Sequence, residues 1–282
     1  MPPLPRDLRV LVRGWLDGNV VLVHGSSPAL VDTGYHTGVP ALLDWLASEG
    51  HTPGTLDRIV LTHVHSDHAG GVAALQAAAG GPLPVFAHAD ARALTDPWDA
   101  RMLWLTGTGQ EMPVFSPCSV LVPGTVVRMG DSDWAVLDTP GHAVGGVALF
   151  REDDRVLISG DALWQDGFGM LNTWLHGPGV FPAAARALDA ITEAKPRLVI
   201  PGHGAPFTDV DAALERARGR LAALEGDPER NLRQVLRAGQ AFSRLAHPEW
   251  TVEEQLACAD ALARTWGFDP ALARAAFRTG HG

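Results

Sequence analysis

Within residues 61–71, Leu-Thr-His-Val-His-Ser-Asp-His-Ala-Gly-Gly, three imidazoles and a carboxylate fall inside six positions: His63, His65, Asp67 and His68. Neutral imidazole and carboxylate are good ligands for zinc and similar divalent ions, and a short loop would fix their directions. The apolar run Ile59-Val60-Leu61 precedes them and reads as a buried strand, while Gly70-Gly71 open a helix. That places the donors on a turn at the carboxyl end of a strand, where open α/β sheets hold their chemistry.

Three further segments repeat the pattern of a short apolar strand, a turn and one ligand-type residue. Val136-Leu137-Asp138-Thr139-Pro140-Gly141 leads to His142, Val156-Leu157-Ile158-Ser159-Gly160 to Asp161, and Leu198-Val199-Ile200-Pro201-Gly202 to His203. One such residue alone reads as a cap or a satisfied loop group. Three in succession point to one site.

These motifs resemble those of the metallo-β-lactamase superfamily, in all seven positions of its two-metal form, over roughly residues 8–205. The resemblance implies that His63, His65 and His142 hold a first metal, that Asp67, His68 and His203 hold a second, and that Asp161 bridges them. Val31-Asp32-Thr33-Gly34 also matches, and there Asp32 would orient the ligand loop from behind. Two divalent cations about 3.5–4 Å apart would share a hydroxide as nucleophile and polarise a carbonyl. Asp67 could both bind its metal and accept a hydrogen bond from that hydroxide. The expected cofactors are two divalent ions, zinc first, with iron or manganese as alternatives.

The resemblance also narrows the reaction. An Asp at the bridging position accompanies thioesterases of the glyoxalase II type and lactonases rather than true β-lactamases. The leading expectation is a hydrolase of an ester, thioester or lactone. A mononuclear-iron persulfide dioxygenase-like enzyme and a phosphodiesterase or nuclease are the alternatives. The chain has one lysine, Lys195, and one tyrosine, Tyr35, so a basic and tyrosyl glutathione-recognition set does not map onto it. Tyr35 follows the Asp32 turn and could face the cleft.

The elements that must position these groups follow from pattern. Residues 8–34 read as antiparallel strands, 39–49 as a helix with Leu42, Leu43 and Leu46 on one face, and 71–79 as a second helix. Residues 90–94 and 99–105 suggest short helices carrying Trp98, Met102 and Trp104, with packing favoured over a cleft wall as their role. Strands return over 119–160, and a helix over 182–194 precedes the last core strand. Two blocks of strands with flanking helices fit an αββα sandwich. Residues 162–181 are apolar and Gly-rich without period, which suggests a shaped loop. Trp164, Phe168, Met170 and Trp174 are its candidates for an apolar substrate pocket; His176 reads as a surface or capping residue, and Ser66 as a spacer.

After residue 205 the pattern becomes helical, over 209–279. Asp227-Pro228 is an N-cap signal and Thr251-Val252-Glu253-Glu254 a capping box. The expected division is a metallo-hydrolase core over 1–205 and a helical subdomain over 206–282. That subdomain could cover the cleft, pair with a second subunit in a homodimer, or complete the core.

The 282 residues are 46% hydrophobic, ample for a buried core. A net charge of −10 argues against a nucleic-acid partner, because phosphate binding needs a basic face. Neither Cys118 nor Cys258 lies in a metal-binding spacing. No stretch is long and apolar enough to span a bilayer, and the amino terminus lacks a signal core. The expectation is a cytoplasmic enzyme for a small-molecule substrate, with no membrane association.

Overall fold

The computed structural model describes residues 2–14 and 16–278. Two sheets stack face to face. The first has six strands in the order β1 (Leu8–Leu11), β2 (Val20–Val23), β3 (Ala29–Val31), β4 (Arg58–Val60), β5 (Val85–His88) and β6 (Ser119–Leu121). Its first three strands pair antiparallel, and β3 to β6 run parallel. The second sheet runs β11 (Leu198–Pro201), β10 (Val156–Gly160), β9 (Val147–Arg151), β8 (Ser132–Asp138) and β7 (Val126–Met129). Here β10 and β11 are parallel and the other pairs antiparallel.

Helices cover both outer faces, so the central strands are buried on two sides and read as unbroken apolar runs. Strands β2, β3, β9, β10 and β11 are buried at every position. Between the sheets, Val21, Val31 and Val60 meet Trp134, Leu149, Ile158 and Ile200. On the outer face of the first sheet, Leu22, Leu30 and Ile59 pack against Leu42 and Leu46 of α1 (Val39–Ser48) and Leu75 of α3 (Val72–Ala78). On the outer face of the second, Leu157 and Val199 pack against Leu188 and Ile191 of α6 (Val180–Ala194) and Leu214 and Leu221 of α7 (Val210–Glu225). This is the expected αββα layering.

The carboxyl-terminal segment forms α8 (Pro228–Ala246), α9 (Val252–Trp266) and α10 (Pro270–Arg278). Asp227 caps α8 by accepting the amide of Arg230, and Thr251 with Glu254 makes the reciprocal capping box of α9. The expected helical stretch extends to Thr279, which lies outside the described residues. Leu232, Val235 and Leu236 of α8 and Leu262 and Trp266 of α9 share a core with Trp104, Met170 and Trp174. These helices therefore lie over the loops that carry the functional groups. Among the described residues no helix is long and apolar enough to cross a membrane.

Two local expectations change. The helix after the ligand motif starts at Val72, and Ser66–Ala69 itself forms a one-turn helix, α2, so Asp67 and His68 sit on helical backbone. Residues 90–94 fall within α4 (Ala89–Thr95), but 99–105 form no helix, with turns over 100–104. Trp98 and Trp104 both take left-handed φ values, 53° and 61°, which stop a helix on either side of that segment. The loop 162–172 is irregular as expected, and one helical turn, α5 (Thr173–His176), follows it.

Candidate metal centre

The seven candidate ligands converge at one edge of the sandwich. Strand β4 runs on through Leu61-Thr62 to His63 and His65, and α2 adds Asp67 and His68. From the second sheet, β8 leads to His142, β10 to Asp161 and β11 to His203. Strands β8, β10 and β11 point the same way, so their carboxyl ends open on the same rim. Of the seven side chains, only that of His142 reaches a tenth exposed.

Three overlapping groups have their donor atoms within 4.8 Å of one another: His63, His65 and His142; His63, His68 and Asp161; Asp67, His68 and His203. Each can hold a metal ion. Individual separations are short: 3.0 Å from His65 Nδ1 to His142 Nε2, 3.2 Å from His203 Nε2 to Asp67 Oδ2, and 3.4 Å from His68 Nε2 to Asp161 Oδ1. The Nε2 atom of His63 is buried with no hydrogen-bond partner among the described residues. A buried lone pair of that kind is costly unless something binds it, so the donor set fits a metal.

The ligand tautomers are set from behind. His142 donates Nδ1–H to the Met170 carbonyl at 2.7 Å, which turns its Nε2 lone pair inward. Asp32 accepts from the Thr62 amide (2.8 Å), the Thr62 hydroxyl (2.7 Å) and His68 Nδ1 (2.8 Å). Since that hydroxyl donates to Asp32, its oxygen accepts from His63 Nδ1 at 3.1 Å. One buried carboxylate thus aims both His63 and His68. Asp32 has φ 58°, a left-handed conformation that Asp tolerates better than most residues.

Charge in the cluster is finely balanced. Burial, aided by the neighbouring imidazoles, drives His63 and His65 well below the ordinary histidine value, and burial also lowers His142. These rings are neutral, the form that binds metal. Burial also opposes charge on His68 and His203, but the facing carboxylates outweigh it and raise both. Burial would raise Asp161, yet His203, His68 and His142 hold it well below the usual carboxylate range. The carboxylates therefore stay ionised and demand positive charge beside them, which divalent cations would supply.

Glycine makes this packing possible. A Cβ on Gly202 would lie 2.2 Å from Asp161 Oδ1, and one on Gly169 would lie 2.5 Å from His142 Nδ1. Only a bare backbone lets these loops pass behind the ligands.

A cleft of about 570 Å³, solvent at its mouth included, opens over the cluster. Its floor is His65, Asp67, His142, Asp161 and His203, and Trp104, Trp164 and Met170 wall it. Above lie Ala238, Gly239 and Phe242 of α8 and Trp266 of α9, so the carboxyl-terminal helices cover the cleft. The Trp164 indole N–H donates to Asp161 Oδ1 at 3.1 Å, and its ring lies 5.2 Å from that of His203.

Of the five pocket candidates, Trp164 and Met170 border this cavity and three do not. Phe168 is 2% exposed and packs in the helix–sheet core, its ring beneath the Arg220 guanidinium. Trp174 turns to Phe268, 6.3 Å away. Tyr35 is buried and its hydroxyl accepts the Glu111 amide at 3.0 Å. Leu16, Trp104, Thr108 and Gln110, with the α8 and α9 residues above, line the cavity instead, and none of them was in the candidate set. Trp104, expected to serve packing, does both: buried, it lies 4.2 Å from the His65 ring, with the two planes tilted by 30°. Gln110 accepts the Ser66 hydroxyl, so Ser66 is more than a spacer, and Thr108 donates to the Trp104 carbonyl. His176 is half-buried beside Trp104, whose indole N–H points to its Nε2 at 3.4 Å. No local signal in the sequence announces these contacts, because the partners come from distant loops.

The model of the metallo-β-lactamase superfamily matches residues 13–203, and the chain belongs to that superfamily. It is 28% identical over 229 residues to the probable metallo-hydrolase YqjP of Bacillus subtilis, covering 70% of each chain. It is 29% identical over 212 residues to the acyl-coenzyme A thioesterase MBLAC2 of Bos taurus, covering 66% of this chain and 72% of that one. Its fold is similar to that of the metallo-beta-lactamase family protein TTHA1429 from Thermus thermophilus, with TM-score 0.67 and 24% identity, over 99% of this chain and 95% of that one.

Proposed function

We propose that this member of the metallo-β-lactamase superfamily is a dinuclear metal-dependent hydrolase of an ester, thioester or lactone. The observation that carries the reading is the convergence of all seven donors into overlapping groups, with Asp161 between them. His63, His65 and His142 would hold one ion, Asp67, His68 and His203 the other, and Asp161 would bridge. The likeness to an acyl-coenzyme A thioesterase supports acyl transfer to water. Zinc is the first candidate for both ions, with iron or manganese as alternatives.

Bound there, two divalent cations supply a water nucleophile ionised near neutrality and polarise the acyl carbonyl. The chain's own residues do the rest. Asp67 accepts a hydrogen bond from the attacking water and fixes its lone pair toward the carbonyl. Asp32, through His68 and Thr62, holds the imidazoles in the tautomers that face the site. Trp164 keeps Asp161 in place through its indole N–H. The aromatic wall and the α8–α9 cover exclude bulk water, which strengthens every electrostatic interaction inside. The complete Asp67–His68–His203 group weighs against a mononuclear dioxygenase.

Elemental analysis of protein purified without added metal tests this, together with oxygen uptake and an ester, thioester and lactone panel. Two equivalents of metal with hydrolysis and no oxygen uptake are expected, and His63→Ala and Asp161→Ala should each abolish turnover. One equivalent of iron with thiol-dependent oxygen uptake would overturn the proposal, as would full turnover by either variant.

A further inference from the structure

The cavity has an unusual chemical balance for a site with two carboxylates in its floor. Its polar side chains above the ligands are few. Thr108 Oγ1 donates to the Trp104 carbonyl, Gln110 Oε1 takes the Ser66 hydroxyl, and Trp164 Nε1 donates to Asp161. Among the described residues no lysine or arginine borders it. The nearby Arg220 is spent on the Phe168 carbonyl and Gln234. The cover is apolar and comes from the carboxyl-terminal helices, with Phe242 and Trp266 flanking the small residues Ala238 and Gly239. Trp266 in turn lies 6.1 Å from Trp104, so wall and cover form one aromatic surface.

We infer that the group bound beneath α8 and α9 is the acyl part of the substrate, and that it is uncharged and apolar, a short alkyl chain or an aryl group. A carboxylate or ammonium among the cover residues would lose its water, and none of Ala238, Gly239, Phe242 and Trp266 supplies a counter-charge. An alkyl chain gains from burial at every carbon. The small side chain of Ala238 leaves room that such a chain fills. Depth and selectivity thus come from helices outside the metal-binding core. This inference rests on the hydrolase reading for its kinetics but not for its binding.

The test uses the metal-loaded full chain with p-nitrophenyl acetate, butyrate and hexanoate, and with the mono-p-nitrophenyl ester of succinate as a charged acyl donor. Binding of N-methylhexanamide, which resists hydrolysis, is followed separately by calorimetry. The variant is Ala238→Phe, which puts a ring into the depth under the cover. Phe242→Ala, which removes part of the cover, is the second variant should Ala238→Phe fail to fold by circular dichroism. In the wild type kcat/KM should rise about fourfold per added methylene. Once its spontaneous, anhydride-forming release of p-nitrophenolate is subtracted, the succinate monoester should be slower than butyrate. Either variant should flatten the series, and Ala238→Phe should weaken amide binding at least about tenfold while metal content stays the same. A flat wild-type series, an unchanged slope in the variants, or faster cleavage of the succinate monoester would overturn the inference. Amide binding that depends on residue 238, without hydrolysis of any ester, would uphold the pocket and overturn the hydrolase reading instead.

Discussion

Asp32 Oδ2 lies 2.8 Å from His68 Nδ1, and both side chains are sealed from solvent. The same oxygen accepts the Thr62 hydroxyl that in turn meets His63. Asp32→Asn keeps the shape and tolerates the left-handed backbone, but its amide can offer either an oxygen or an N–H toward His68, not two acceptors. Two ligands then lose their fixed tautomer. Metal affinity should fall about 10- to 100-fold, on the order expected when a partner behind a ligand is lost. Chelator competition measures this, and unchanged affinity would show that Asp32 serves the fold alone.

Gly202→Ala should be more damaging than its size suggests. The new methyl would sit 2.2 Å from Asp161 Oδ1 and 2.8 Å from His68 Cε1, so the loop or the ligands must move. Displacing a buried backbone or overpacking a site costs about 1–3 kcal/mol. Bound metal should drop and the melting temperature should fall together. Gly204→Ala is the control for space: a Cβ there meets nothing within 4 Å, although its φ of 86° adds strain. It should lower the melting temperature without removing metal.

Much of this architecture can be read from pattern. Each ligand follows an apolar run that must be buried on both faces, and such runs end where the backbone leaves the sheet; hence His142, Asp161 and His203 fall on one rim. Caps at Asp227 and Thr251 act within four residues and are equally visible. The cavity wall is different. Tyr35, Phe168 and Trp174 are apolar or amphipathic side chains in the right segments, yet whether they face the cleft or the core depends on packing against Phe242 of α8, Arg220 of α7 and Phe268 after α9. Trp104 faces His65 from a left-handed backbone position, a tertiary override that no local periodicity carries. The cover by Ala238, Phe242 and Trp266 joins residues more than a hundred positions from the first ligands, beyond any short-range signal.

Trp164 joins the cavity wall to the metal centre. Its indole N–H bonds Asp161 Oδ1 at 3.1 Å, so substituting it acts on a ligand as well as on the pocket. Trp164→Phe keeps most of the apolar surface and removes the donor. Losing one hydrogen bond to a charged acceptor costs about 1.5–3 kcal/mol. We expect a fall of one to two orders of magnitude in kcat/KM on short esters, with weaker metal retention on dialysis. Trp164→Ala should add a further loss for apolar acyl groups. Equal metal retention in wild type and Trp164→Phe would show that the indole N–H does not support the centre.

His176 gives a pH dependence that can be separated from the ligands. Burial, with a smaller effect from His142, lowers its pKa from 6.5 to about 4. The folded state therefore binds its proton less readily than the unfolded chain, and between pH 6.5 and 4 the unfolded state holds more protons. The stability this neutral ring contributes is fully present above pH 6.5, declines as pH falls through that window, and is gone below 4. The ring is only half-buried, so solvent screening reduces the effect to about 1–2 kcal/mol. His176→Gln retains an acceptor toward the Trp104 indole and cannot titrate. Urea denaturation of wild type and variant at pH 7 and pH 4.5, both in chelator, gives the difference. The variant should lose less stability than wild type on acidification, by about that amount. Parallel losses would mean that His176 is solvated as in the unfolded chain and that the Trp104 contact does not hold it neutral.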